Sequence, residues 1–131
     1  LAAVGPTEEL ARALGARVTL IHVVPDTLLV PIADLDMPPR TPQVWMHQWE
    51  NARKRLEEVR GRLADDVEVT TEVIDGESVA GAIVKWAKAH DADAICIASH
   101  GRRGLSRIAF GSVAEEVLRV SSLPVFVHPS R

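Results

Sequence analysis

The chain has 131 residues, and its 15 lysines and arginines against 18 aspartates and glutamates leave a formal net charge of -3. That length suits one domain, residues 1–131, with a core of ordinary size, and a mildly acidic chain with 47% hydrophobic residues is not built as a general nucleic-acid binder. The single cysteine, Cys96, excludes an intrachain disulfide framework and fits a reducing, cytoplasmic compartment. Without an apolar run of about 18 residues or a basic-then-apolar leader, neither a membrane span nor secretion is expected.

In chain order, Leu14-Gly15-Ala16 reads as a helix end with glycine just past the last turn, and Arg17 to Val24 (RVTLIHVV) as a buried strand. Pro25 to Pro42 holds five of the eight prolines and has no sustained period, which predicts a long surface connection. Gln43 to Leu63 carries Val44, Leu56, Val59 and Leu63 among many charges, an amphipathic helix of about five to six turns whose Trp45 and Trp49 serve packing. Val67 to Ile74 alternates apolar with polar residues, as a half-exposed strand near a sheet edge does, and Asp75-Gly76 closes it as a turn. Val79, Ile83, Val84, Trp86 and Ala87 predict the next helix. Ala94 to Ala98 is a short apolar strand with Cys96 as a buried thiol, Val113, Val117, Leu118 and Val120 mark a last helix, and Pro124 to His128 is a final strand.

Alternation of strands and helices at these lengths predicts an α/β fold, an open parallel sheet with helices on both faces. Ligands of such sheets bind beyond the carboxyl ends of the strands. Ala98-Ser99-His100-Gly101 stands just past such an end, and after nine residues Gly111-Ser112 opens a helix. Backbone N–H groups at a glycine-bearing loop and a helix start suit an anion, and Arg102, Arg103 and Arg107 add local positive charge.

The segment ASHGRRGLSRIAFGSVAEEVLRVSSLPVFVHP resembles the C-terminal signature of the universal stress protein family, and the likeness extends through VIDGESVAGAIVKWAKAHDADAICI and ELARALGARVTLIHVVP. It covers nearly the whole chain apart from the proline-rich loop. The resemblance implies a five-stranded parallel sheet in the order 3-2-1-4-5, a Rossmann-like architecture, a homodimer, and membership of the ATP-binding branch. Carried over residue by residue, it implies that Gly101, Gly111 and Ser112, with the backbone of Val113, hold the phosphates of ATP, with His100 and Arg102 in the same loop. Ala98 takes the position of a family glycine that lies against the ribose, and Val23 would face adenine.

The same resemblance implies a central first strand followed by an aspartate that helps hold the nucleotide. Leu1 to Val4 is the only candidate for that strand, with Gly5 at the aspartate position and a short helix from Thr7 to Leu14. The alternative, one helix from Leu1 to Leu14 interrupted at Gly5-Pro6, removes the middle strand and leaves buried backbone unpaired. The strand is therefore the expectation, with residues upstream of Leu1 or within the first helix expected to be missing.

No nucleophile–base pair can be set out in this sequence, so catalysis is not expected beyond slow ATP hydrolysis. His22 reads as a core histidine, and His47, His90 and His128 have no metal-ligand spacing. Magnesium, if it accompanies ATP, would be held through phosphate oxygens, with Asp75 and Asp36 as candidate contacts. A stress-response or signalling module that binds ATP is the leading reading; a non-nucleotide interaction protein and an adenine-nucleotide hydrolase are the alternatives. The apolar strand at Val125, Phe126 and Val127 is the expected dimer edge.

Overall fold

A computed structural model describes residues 3–25, 42–100 and 111–130. Helices and strands alternate: α1 (Val4–Leu14), β1 (Val18–Pro25), α2 (Pro42–Arg60), β2 (Val69–Gly76), α3 (Val79–Ala89), β3 (Ile95–His100), α4 (Ser112–Val120) and β4 (Val125–Ser130). All pairing is parallel. β1 runs beside β2, Val18 against Val69 through Pro25 against Gly76, and β3 runs beside β4, Ile95 against Val125 through His100 against Ser130.

The first strand expected from the sequence is not present at its predicted place. Val4 and Gly5 belong to α1, while Leu1 and Ala2 lie outside the described residues. A proline inside a helix is costly because it lacks an N–H and crowds the preceding turn, but Pro6 stands in the first turn, where neither penalty applies. The dipeptide that seemed to interrupt a helix instead falls at its start. At the other end Gly15 adopts φ 63°, and the N–H of Ala16 donates to the carbonyl of Ala11 at 2.9 Å, the glycine-capped terminus expected there.

Among the described residues the sheet is therefore two strand pairs. Helix α3 leaves β2, packs against both β2 and β1, and delivers the chain to β3. On this face Ala80, Val84 and Ala87 of α3 form a core with Ile95 and Val117, joined by Ile97, Val113 and Val125. On the other face Val4 and Ala11 of α1 pack with Val18, Leu20 and Val69, and with Leu63 and Val67 between α2 and β2.

Boundaries moved by a few residues. β2 continues through Asp75 and Gly76 instead of turning there, and a Cβ on Gly76 would come within 2.9 Å of the Ala82 methyl group. β3 extends to His100, so Ser99 and His100 are strand and not loop. α2 ends at Arg60, and Leu63 is buried just beyond it. Trp45 and Trp49 pack on each other with ring centroids 5.2 Å apart. Pro25 to Pro42 falls mainly outside the described residues.

His22 lies on the α2 side of β1, the side of Val18 and Leu20. Burial, and secondly the charge of Arg55, lower its pKa below the ordinary 6.5. A base whose folded pKa is depressed costs nothing above its unfolded value; stability is lost as pH falls from about 6.5 toward the folded pKa, where the unfolded chain takes up the proton first. Thermal melts from about pH 7.5 down to about pH 5 should show this loss. His22→Gln should flatten the profile, and an unchanged profile in the variant would remove His22 as its cause.

Candidate functional site

The start of α4 is the most anion-ready feature of the described chain. Gly111, its N-cap residue, has φ 77° and ψ 154°, a conformation that a Cβ disfavours strongly. The carbonyl of Gly111 accepts from the N–H of Glu115 at 3.0 Å, while the N–H groups of Ser112, Val113 and Ala114 are those a helix leaves without an internal partner. Gly111 has no side chain with which to cap this end. The Ser112 side chain is exposed, and Val113 packs inward on the core. Three aligned donors and the positive end of the helix dipole thus lie together at this end.

The other expected residues are distributed around this point. Ala98 is half-buried in β3, opposite His128, and His100 ends that strand. α4 packs on β3 and β4, so Ala98 and the start of α4 belong to one half of the molecule. Val23 belongs to the other half, near the end of β1 and opposite Ile74. Gly101 and Arg102, like Arg103 and Arg107, lie outside the described residues. Gly5, expected at the family's aspartate position, is the second residue of α1. Ala114 is the donor that sequence reasoning missed; the count from an N-cap at Gly111 would have found it.

Asp75 is exposed at the carboxyl end of β2, and Asp36 lies outside the described residues. Among the described residues no group of three histidine, cysteine or acidic side chains could hold a metal ion, and no helix is long and apolar enough to cross a membrane. A cavity of about 240 Å³ lies on the opposite face of the β3–β4 pair from α4, lined by Ala3, Pro6, Leu10, Cys96, Phe126 and His128. Cys96, expected as a buried thiol, is half-buried there.

The architecture is α/β with parallel strands and a glycine-led helix start after β3. The chain belongs to the universal stress protein family, whose family model matches residues 1–129. It is 36% identical over 80 residues to the universal stress protein MJ0531 of Methanocaldococcus jannaschii, covering 60% of this chain and 46% of that protein; the match thus spans about half the length of that relative. Among solved structures, protein MJ0577, from the same organism, superposes with a TM-score of 0.76 at 25% identity, covering 98% of this chain and 86% of that one. A universal stress protein of Archaeoglobus fulgidus, solved in complex with dAMP, shares the fold with a TM-score of 0.62 at 21% identity, over 96% of this chain and 84% of that one.

Gly111→Ala should cost about 1–3 kcal/mol of folding stability through its backbone conformation alone. Urea unfolding that gives the wild-type midpoint would show that the strained φ is not maintained in solution.

Proposed function

We propose that the chain is a single-domain adenine-nucleotide-binding module of stress response or signalling, acting in the cytoplasm, with ATP as its ligand. The observation that carries the reading is the start of α4: glycine at positive φ as the N-cap residue, followed by three N–H groups that have no partner inside the helix. In this reading Gly101, Gly111, Ser112 and the backbone of Val113 hold the phosphates, with His100 and Arg102 beside them. Ala98 lies along the ribose and Val23 against adenine. The dAMP complex of the Archaeoglobus fulgidus relative supports an adenine nucleotide as the class of ligand. Magnesium enters with ATP, bound through its phosphate oxygens.

The two strand pairs are then parts of one sheet in the order 3-2-1-4-5, with β1 and β2 as its second and third strands and β3 and β4 as its fourth and fifth. The module binds without turnover, or with slow hydrolysis at most, because a cradle of donors stabilises phosphate but does not orient an attacking water. Calorimetric titration with ATP should give saturable binding. Ser112→Ala should weaken it roughly tenfold or more, the usual effect of losing a hydrogen bond to a charged group. No binding at millimolar ATP overturns the assignment.

The same reading includes a homodimer through Val125, Phe126 and Val127. β4 pairs only with β3 among the described residues, and Phe126 is 46% exposed, with Leu118 and Val120 of α4 each 42% exposed. An open strand edge with apolar side chains nearby favours a second copy. Light scattering should return twice the chain mass, and Phe126→Lys should return the monomer; a wild-type monomer at high concentration refutes the interface.

A further inference from the structure

Helix α2 carries two tryptophans to the carboxyl end of the β1–β2 pair. It joins the end of β1 to the start of β2, two parallel strands, so it runs antiparallel to both, and it packs on both. Its buried residues are Ala52 and Leu56, and Trp49 and Trp45, three and seven residues before Ala52, continue the same stripe toward the first turn. The Thr71 hydroxyl donates to Glu57 Oε1 at 3.3 Å, which fixes the level of the helix against the sheet. Trp49 stands eight residues before Glu57, about 12 Å along the helix axis, and that distance is about three to four residues of strand. Trp49 is therefore level with Ile74 and Asp75 of β2 and with their partners Val23 and Val24 of β1. Val24 points to the α2 side, as Val18, Leu20 and His22 do, and is buried.

Packing accounts for the apolar surface of these rings but not for their polar atoms. Trp49 Nε1 is buried, and among the described residues it is the one buried side-chain nitrogen or oxygen without a hydrogen-bond partner. In water an indole N–H has an acceptor, and burying it unpaired loses that bond with nothing in its place. Indole is a donor only, so the group that completes it is an acceptor.

We propose that Trp49 is the base-reading residue of the nucleotide site, its Nε1–H donating to a ring nitrogen of adenine. The inference rests on the nucleotide reading above and adds to it a residue outside the glycine motif. In that reading the base lies against Val23, and Trp49 stands at the level of Val23 on the side that α2 covers, whereas the phosphate donors belong to α4. The edge of adenine offers N1, N3 and N7 as acceptors and its amino group as a donor. A donor-only indole therefore pairs with one of the three ring nitrogens and not with the amino group. Trp45 lies against the Trp49 ring and so holds the direction of its N–H. A site that hydrogen-bonds one atom of its ligand rejects the analogue lacking that atom, because the buried donor is then left unpaired.

The test uses the whole protein with ATP and with 1-deaza-, 3-deaza- and 7-deaza-ATP, in each of which C–H replaces one ring nitrogen. By calorimetry one of the three should bind roughly three- to tenfold more weakly than ATP, the loss expected for one neutral hydrogen bond. Trp49→Phe, which keeps an aromatic ring and removes the N–H, should bind ATP and that analogue equally. Equal binding of all four nucleotides by the wild type, or undiminished discrimination by the variant, overturns the proposal. The wild type supplies a second readout if the variant does not fold. Its three tryptophans give three indole N–H signals in a nitrogen–proton correlation spectrum, and that of Trp49 is assigned by elimination with Trp45→Phe and Trp86→Phe. It should move downfield on saturation with ATP. A signal that stays in place at saturation overturns the proposal and leaves nucleotide binding standing. So does a signal already downfield and protected from exchange before ATP is added, since its acceptor then belongs to the protein. No saturable binding of ATP overturns both readings together.

Discussion

Helix α3 holds the molecule together. The two strand pairs share no ladder among the described residues, so what joins them is side-chain packing, and the densest of it runs along one face of α3. Ala80, Val84 and Ala87 recur at helical spacing, and two of the three are alanines, which let the helix approach β1, β3 and α4 closely. Val117 of α4 is wholly buried against that face. The helix is also fixed at both ends: the Ser78 hydroxyl accepts from the N–H of Gly81 at 3.1 Å, and the His90 ring stacks on Trp86 at 3.9 Å. The second helix to span the pairs, α1, is anchored by ion pairs. Arg12 lies 2.8 Å from Glu8 and 2.7 Å from Asp66, and the guanidinium lowers the Asp66 pKa below its usual range. Such exposed pairs orient a helix more than they stabilise it.

Much of this order is legible in the residues. Apolar runs mark β1, β3 and β4, alternation marks β2, helical spacing marks α2, α3 and α4, and Gly15 marks the end of α1, because each rests on local geometry that the chain imposes wherever it folds. The N-terminal element differs for an equally physical reason. A strand over Leu1 to Val4 is the expectation because a sheet needs a middle strand, a tertiary argument, whereas Pro6 and the run from Thr7 to Leu14 favour a helix on local grounds. At Val4 and Gly5 the local preference prevails, with Pro6 in a first turn that tolerates it. The extension of β3 to His100 was hidden differently: Ser99 and His100 have no strong strand preference, and it is pairing with Pro129 and Ser130 that holds them extended.

The candidate site is only partly a matter of motif. Gly111-Ser112 was recognisable by its spacing from Gly101, but spacing does not say whether the helix start is capped. The structure adds that Gly111 itself is the N-cap residue, at φ 77° and ψ 154°, and so brings no capping side chain of its own.

Val23 and Ala98, both assigned to the proposed ligand site, stand on different strand pairs. Their side chains lie on opposite faces of the sheet, since Val23 alternates with Leu20 and His22 while Ala98 shares the face of Cys96. Each directs its main-chain N–H and C=O away from its paired strand, Val23 from β2 and Ala98 from β4. A ligand held as proposed, from the start of α4 to Val23, would span both strand pairs. Anything that sets the separation of β1 and β3 also sets the distance between the two ends of the ligand site, while the donors at Ser112, Val113 and Ala114 stay fixed to the β3–β4 half by Val113 and Val117. In the proposed site, phosphate affinity and base affinity would thus be governed by different parts of the structure. The first would depend on α4, and the second on how firmly α3 and α1 hold two strand pairs that share no ladder among the described residues.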